Sequence, residues 1–246
     1  MGAEVCQAVL ADPECELVAA VDPRRPDGLP LDVAYGTTAA VLGSAGADVA
    51  VDFTVAASAR ANASWCAEHG VHAVIGTSGL TADDLAALGS AFAGGSAHCL
   101  VAPNFAIGAV LMIRLAALAA PYFDTAEVIE LHHDGKADAP SGTAMYTASQ
   151  MALASDAWAP DPTTILNAEG ARGAAAIDDG RIRIHSVRMR GMVAHQEVLL
   201  GTTGQTLSIR HDSYDRTSFM PGVLLAIKRI AAYPGLTVGL DAFLDL

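Results

Sequence analysis

Basic residues are scarce in this chain. Lys and Arg number 14 against 27 Asp and Glu, a formal net charge of −13. Nucleic acid is held by clustered Lys and Arg, so that partner class is excluded. The same deficit argues against docking on an anionic membrane surface. No apolar run reaches the roughly 20 residues of a membrane-spanning helix. Met1 is not followed by a basic region and an apolar stretch, so the expectation is no secretory signal and a cytoplasmic location. Only four cysteines occur, Cys6, Cys15, Cys66 and Cys99. None forms a C-x-x-C pair and each lies among apolar residues, which predicts buried free thiols rather than disulfides or metal ligands. Charged residues make up 17% and apolar residues 52%, a globular balance. At 246 residues the chain can bury a core as one large domain or two modest ones.

The first half alternates between helical and strand patterns. The segment 3–11 has helical spacing. Segments 15–22, 46–54, 71–79 and 97–105 are short apolar runs that read as buried strands, and 58–70 reads as a helix ended by a glycine. Thr81 with Asp84 three residues later is a capping box that opens a further helix. Continuous apolar strands alternating with helices predict a parallel sheet covered on both faces. The pattern then changes. A long apolar helix is expected over 107–120, a strand over 126–133, a helix over 143–155 and a loop rich in Pro, Gly and Ala over 156–180. The segments 181–189, 194–204 and 205–213 alternate apolar and polar residues, with "GTTGQ" as a hairpin turn, and predict a mixed, mostly antiparallel sheet. A helix follows over 221–234. The fold class is therefore α/β: a Rossmann-like parallel-sheet domain over 1–105, completed by 216–246, and an α+β substrate and oligomerisation domain over 106–215.

Parallel α/β sheets bind ligands at the carboxyl ends of their strands. Those ends read Asp22, then Asp52-Phe53-Thr54, then Gly76-Thr77-Ser78-Gly79, then Ala102-Pro103-Asn104-Phe105. The small and polar residues gathered there suit a dinucleotide. Asp22 lies twenty residues after Gly2, the spacing between a phosphate-loop glycine and the acid that holds ribose hydroxyls. Arg24 and Arg25 follow and can pair with a 2′-phosphate, so both NADH and NADPH are permitted. The bland alternative is that Asp22 only ends a strand and the arginines are solvated. A dinucleotide fold begins with a strand and a glycine-rich turn, whereas this chain begins "MGAEVCQAVL", with Gly2 as the last glycine of such a turn. The expectation is that the start is misplaced or the chain a fragment. Two neighbouring strands would then lack their central partner, and cofactor binding would be weak.

The stretch "ELHHDGKADAPSGTA", residues 130–144, places two histidines, a lysine and a helix start together. The backbone N–H groups of Ser141, Gly142 and Thr143 are expected as unpaired first-turn donors, a ready anion site. Gly142 lets a ligand approach the backbone. Lys136 adds a point charge, and His132 and His133 can donate protons near neutral pH. Such a site suits a small dicarboxylate. Against this, adjacent histidines on a strand face opposite ways, so one can be a packed core residue, and Ser-Gly-Thr can be an ordinary helix cap. A metal is not expected, because no further Cys, His or Glu sits at ligand spacing and Lys136 would repel the ion. His185, His195 and His211 read as structural or interface residues.

With "VDFT", "GTSG", "APNFAIGAV", "EVIELHH…KADAPSGTA", "VAHQEVLLG" and "IRHDS…R…F…G" in place, the chain resembles the dihydrodipicolinate reductases, also called 4-hydroxy-tetrahydrodipicolinate reductases, of bacterial lysine and diaminopimelate biosynthesis. The resemblance runs from Gly2 to Leu246. It implies an oxidoreductase that delivers hydride from NADH or NADPH to ring carbon C4 of a small cyclic dicarboxylate, with loss of water. It implies His132 as proton donor/acceptor and Lys136 as a second donor. His133, Ser141, Gly142 and Thr143 then hold the substrate carboxylates. Gly2, Asp22, Arg24, Phe53, Thr54, Gly76, Thr77, Ser78, Ala102, Pro103, Asn104 and Phe105 contact the cofactor. Members assemble as homotetramers through the second domain's sheet, and they carry a strand and G-x-x-G-x-x-G turn ahead of the point where this sequence starts. Asp134-Gly135 stands where relatives often carry His, Pro or a basic residue, which touches fine tuning of the site. The rival expectation is a non-catalytic dicarboxylate-binding or regulatory relative that has lost the cofactor loop.

Overall fold

The structure is a computed structural model that describes residues 1–25, 27–175 and 181–245. It divides into two compact units. The first comprises Met1–Ile107 with Arg216–Leu246, the second Gly108–Asp215. No helix among the described residues is long and apolar enough to cross a membrane.

The chain order through the first unit is α1 (Gly2–Ala11), β1 (Ala19–Val21), β2 (Ala34–Gly36), α2 (Ala40–Ala45), β3 (Val49–Asp52), α3 (Ala56–His69), β4 (His72–Ile75), α4 (Ala82–Ala91) and β5 (Cys99–Val101). After α5 (Ile107–Ala119), the second unit contains β6 (Thr125–His132), α6 (Gly142–Ala154), β7 (Ala174–Ala175), β8 (Ile182–Arg188), β9 (Ala194–Thr202) and β10 (Gln205–Ser213). The first unit resumes with α7 (Met220–Arg229) and β11 (Leu236–Val238).

The first unit holds a parallel sheet in the order β11-β5-β4-β3 and a separate parallel pair, β1-β2. Beneath the sheet lies a core built around Ala63, Cys66, Leu88, Phe92 and Cys99. Local chemistry sets the helix limits. Thr81 and Asp84 form the expected reciprocal cap at the start of α4, each side chain accepting the other residue's backbone N–H. Helices α2 and α3 stop where Gly46 and Gly70 take left-handed φ values of 70° and 73°, a conformation glycine adopts without steric cost. The strands are shorter than the apolar runs that announced them. The short β2, α2 and β11 carry no periodicity long enough to announce them, and sheet pairing defines them. The cysteine expectation holds for Cys66 and Cys99, whose thiols burial pushes up to about 12. Cys6 and Cys15 are only half-buried: Cys6 lies within α1 and Cys15 after its end, neither in the core under the sheet.

The second unit carries a mixed sheet in the order β10-β9-β6-β8-β7. Strands β6 and β8 run parallel and the remaining pairs are antiparallel. The hairpin between β9 and β10 turns at Thr203-Gly204, inside "GTTGQ". Helix α6 lays Ala144, Ala148 and Met151 on the sheet residues Val128, Ile182 and Val198. The loop expected over 156–180 contains β7, and its residues 176–180 lie outside the described residues, as do residues 26 and 246.

A terminal helix, α7, packs on α1. A Cβ built on Gly222 in α7 falls 2.1 Å from the Phe105 carbonyl oxygen and 2.8 Å from Leu240 Cδ2. Alanine favours a helix over glycine by about 1 kcal/mol, but a backbone carbonyl cannot swing aside as a side chain can. Gly222→Ala is therefore expected to destabilise the first unit by about 1–3 kcal/mol, read as a lowered midpoint in urea. An unchanged or raised midpoint would show that α7 shifts freely against Phe105.

Candidate functional site

Strand β6 is buried on alternate residues, Ala126, Val128 and Glu130. The same two-residue period places His132 on the side of Glu130, at the strand's open end. A carboxylate thus sits where the pattern calls for an apolar residue, and its side chain has no exposure. Groups from β6, β8 and the start of α6 satisfy it. Parallel pairing with β8 sets Arg188 beside His132, and Arg188 reaches back with both Nη atoms at 2.8 Å from the two carboxylate oxygens. The Ser141 backbone N–H donates to Oε1 at 3.2 Å. His132 Nδ1 lies 2.5 Å from Oε2. Burial by itself would raise the Glu130 pKa, but hydrogen bonds from Arg188, Ser186 and His132 hold it below the usual carboxylate range.

That ionised acceptor fixes the histidine. Nδ1 carries its hydrogen toward Glu130, so Nε2 is the atom that takes or gives a proton. Burial lowers the His132 pKa, Glu130 raises it, and the charges of Lys136 and Arg188 lower it again. The proton is held weakly near neutral pH, as suits a group that must release it.

The turn after β6 brings Lys136 back, its N–H donating to the His133 carbonyl at 3.2 Å. Lys136 Nζ is paired with Asp138 Oδ1 at 2.7 Å, so the ammonium is already held by a carboxylate of its own loop. His133 is exposed, on the other face from His132. The expectation of three unpaired donors at 141–143 needs correction. Ser141 is the N-cap of α6: its N–H is committed to Glu130 and its hydroxyl accepts from the Ala144 N–H. Gly142 and Thr143 open the first turn. A Cβ on Gly142 meets nothing within 4 Å, so space lies in front of its backbone. The site therefore combines a helix N-terminus, a lysine and an oriented imidazole, a set that can hold a carboxylate and move one proton. His185 bonds Glu127, and His195 is buried between the Val193 N–H and the Asp212 carboxylate. The His211 ring packs against Gly108. These three stiffen the sheet.

The strand ends of the first unit are organised by another buried acid. Asp52, at the end of β3, accepts from the N–H and hydroxyl of Thr54 at 2.9 and 2.8 Å, from Thr77 Oγ1 at 2.7 Å and from Asn62 Nδ2 at 2.8 Å. The Thr54 and Thr77 hydroxyls are thereby spent on the loops themselves. Gly76 serves Phe53, whose ring a Cβ there would strike at 2.1 Å. A small cavity of about 190 Å³ is formed by Met1, Phe53, Gly76, Pro103, Asn104 and Phe105 with Phe219. Thr77 and Ala102 are buried, Ser78 is exposed, and none of the three lines it. Asp22, Arg24 and Arg25 are exposed at the end of β1, where Asp22 Oδ1 accepts the Arg24 N–H at 2.9 Å and Arg25 lies over the Tyr35 ring. Gly2 opens α1 with no atom within 4 Å of a Cβ built on it. A helix N-terminus, an acid with two arginines and an apolar cleft at strand ends fit a nicotinamide dinucleotide.

Neither Glu130 with Arg188 nor Asp52 stood out as a functional residue in the sequence. The signal for Glu130 was an acid on the inward face of an otherwise apolar alternation. Asp52 stood at a strand end and inside "VDFT", but its organising role was not legible, since Asn62 and Thr77 reach it from 10 and 25 residues away.

Comparison with known proteins shows the family. Residues 1–105 match the family model "Dihydrodipicolinate reductase, N-terminus", and residues 108–244 match "Dihydrodipicolinate reductase, C-terminus". A 4-hydroxy-tetrahydrodipicolinate reductase of Streptomyces coelicolor is 49% identical, covering 100% of this chain and 94% of that protein. One of Corynebacterium aurimucosum is 48% identical, covering 100% and 95%. Among solved structures, dipicolinate-bound dihydrodipicolinate reductase from Paenisporosarcina sp. TG-14 superposes with a TM-score of 0.89 at 38% identity, covering 98% of this chain and 94% of that one. An amine dehydrogenase from Mycobacterium smegmatis shares the fold at a TM-score of 0.65 and 16% identity, covering 98% and 92%. The chain belongs to the dihydrodipicolinate reductase family.

Proposed function

We propose that this chain carries out its family's reaction: NAD(P)H-dependent reduction of 4-hydroxy-tetrahydrodipicolinate to tetrahydrodipicolinate, with loss of water, in lysine and diaminopimelate biosynthesis. The observation that carries it is the His132 imidazole, oriented by a buried carboxylate beside a helix N-terminus and a lysine. Intact proton-transfer groups favour the enzyme over a binding or regulatory relative without catalysis.

The first unit is the dinucleotide-binding domain. Gly2, Asp22, Arg24, Phe53, Thr54, Gly76, Thr77, Ser78, Ala102, Pro103, Asn104 and Phe105 hold NADH or NADPH. Thr77 does so through its backbone and Thr54 through its backbone carbonyl, because both hydroxyls and the Thr54 N–H serve Asp52. When bound, the reduced nicotinamide supplies the hydride that ring carbon C4 receives. The second unit is the substrate domain. The N–H groups of Gly142 and Thr143, with His133 and Ser141, hold the carboxylates through hydrogen bonds and the α6 dipole. Lys136 exchanges Asp138 for a substrate carboxylate and is a second proton donor. His132 gives the proton from Nε2 as electrons move toward the ring nitrogen, so hydride and proton together reduce the conjugated C=C–C=N system. Glu130 steadies the imidazolium before that transfer and the tautomer after it. The protein works in the cytoplasm as a homotetramer joined through the β6–β10 sheet, whose edge strand β10 leaves Leu207 exposed.

The direct test is oxidation of NADH or NADPH in the presence of 4-hydroxy-tetrahydrodipicolinate. Substrate-independent oxidation, or none, would overturn the assignment. His132→Gln is expected to lower kcat by roughly 10²–10⁴-fold with little change in KM, because the proton matters mainly in the transition state. Unchanged kcat would remove His132 from the chemistry. Glu130→Gln takes away the charge that raises the His132 pKa and leaves Arg188 uncompensated. Both effects lower that pKa further. The alkaline limb of kcat/KM, where His132 loses its proton, should then move to lower pH. A limb that stays in place would show that another group titrates there. Replacing Arg24 and Arg25 together with Ala should raise KM for NADPH and spare NADH. Equal effects on both cofactors would assign the arginines to folding.

A further inference from the structure

Strand β8 ends at Arg188, and its guanidinium reaches beyond the carboxylate that it neutralises. Nη1 donates to Glu130 Oε2 and to the Val187 carbonyl, both at 2.8 Å. Nη2 donates to Glu130 Oε1 at 2.8 Å and to the Asp138 carbonyl at 2.6 Å. The Glu130 contacts lead to the proton donor, since Oε2 lies 2.5 Å from His132 Nδ1. The Asp138 contact leads to the loop after β6. There the Asp138 carboxylate holds Lys136 Nζ at 2.7 Å, so Arg188 grips the backbone of the residue that supplies the lysine's counter-ion. The neighbouring residue adds a tie of its own: the Met189 N–H donates to the His132 carbonyl at 3.0 Å.

Holding β6 to β8 does not require this arrangement. The two strands are already paired from Ala126 with Ile182 to His132 with Arg188. On the same face the earlier positions, Ala126, Val128, Ile182 and Ile184, are apolar and join the core. A buried ion pair is often no more stabilising than apolar residues of similar volume. The charged pair stands only at the end of the strands that carries the histidine and the lysine.

We propose that Arg188 is a positioning residue of the reaction: one rigid fork fixes both the acceptor of His132 and the backbone of the loop that bears Lys136, so that proton donor and carboxylate-binding ammonium keep a single spacing. The inference rests on the roles assigned above to His132 and Lys136. A guanidinium suits the task because its donors lie in one plane and can serve a carboxylate and a carbonyl together, whereas an ammonium is a compact point charge.

The charge of Arg188 is the other half of its role. His132 is faced by Glu130 on its own strand, by Lys136 on the loop and by Arg188 on β8. Asp138 acts on Lys136 and Arg188. From β9 the residue opposite His132 is Ala194, and α6 presents the N–H of Ser141. A buried carboxylate alone beside an imidazole would keep an extra proton on the pair to high pH, whichever partner carried it. The positive charge of Arg188 opposes that proton. Burial lowers the His132 pKa, Glu130 raises it, and Lys136 and Arg188 lower it again. Arg188 thus keeps Glu130 as an acceptor without letting it lock the proton in place.

The experiment uses the full chain with Arg188→Lys, Arg188→Gln and the double variant Glu130→Gln/Arg188→Gln. It reads the pH profile of kcat/KM, KM, the Kd of pyridine-2,6-dicarboxylate, and the NMR titration of the His132 ring, whose signal is identified by its loss in His132→Gln. Arg188→Gln should move the ring titration and the alkaline limb of kcat/KM upward by about one pH unit, opposite in sign to Glu130→Gln. Arg188→Lys keeps the charge and loses the fork. Its limb should stay near that of the parent chain, while KM and Kd rise about tenfold. Should the unpaired carboxylate keep Arg188→Gln from folding, the double variant serves instead, because it leaves neither charge buried. Its limb must lie at higher pH than that of Glu130→Gln alone. A ring titration that stays or falls in Arg188→Gln, or a double variant that matches Glu130→Gln, would overturn the role of the charge. Unchanged KM and Kd in Arg188→Lys would overturn the fork. A ring titration that rises while the kcat/KM limb stays would instead fault His132 as the proton donor, so the two readings fail separately.

Discussion

Glu130 carries a negative charge with no side-chain exposure, near the end of β6, between β8 and the N-cap of α6. An isolated ionised carboxylate in that position would cost several kcal/mol. It is tolerated because a bidentate arginine, an imidazole and a backbone N–H converge on its two oxygens. Each of those contacts also places something the site requires. Arg188 ties β8 to β6, Ser141 fixes where α6 begins, and His132 is turned so that Nε2 faces outward. Removal of one partner from such a cluster typically costs about 3–5 kcal/mol, so the cluster holds fold and chemistry together.

The first unit repeats the device at its strand ends. Asp52 collects the Thr54, Thr77 and Asn62 donors, and in doing so folds the loops after β3 and β4 toward each other. Phe53 then lies on Gly76 and tilts against Phe105 at a ring separation of 5.6 Å. A buried acid organises each unit, and the residues with exposed polar groups around it are left for ligands. This division explains why Thr77 and Thr54, which read as cofactor contacts by residue type, hold their hydroxyls inward.

The acidic balance of the chain sits apart from these two carboxylates. Other ion pairs are more exposed, such as Lys228 with Glu14 and Arg190 with Asp134, and pairs of this kind contribute about 0–1 kcal/mol. The Lys228 pairs with Asp12 and Glu14 join α7 to the end of α1 without deciding the fold. The packing of Gly222 on the Phe105 carbonyl is the tighter constraint on that helix.

What the sequence by itself determined was whatever rests on local chemistry or on a long enough repeat. The α4 capping box, the turn between β9 and β10, and α5 were legible because their causes lie within a few residues of one another. The two-residue alternation of β6 even marked Glu130 as an acid on the wrong face, had it been followed to its end. The motifs from "VDFT" to "IRHDS" identified the family. Tertiary structure decided the rest. The strands β2 and β11 are three residues each and exist only because β1 and β5 offer them edges. The 141–143 donors looked free in the sequence, and only the fold brings Glu130, eleven residues earlier, under Ser141. Arg188 meets the same carboxylate from 58 positions away, through a parallel register that no local pattern encodes. Hydrogen-bond partners distant along the chain are chosen by which strands lie side by side, and that is a property of the assembled sheet.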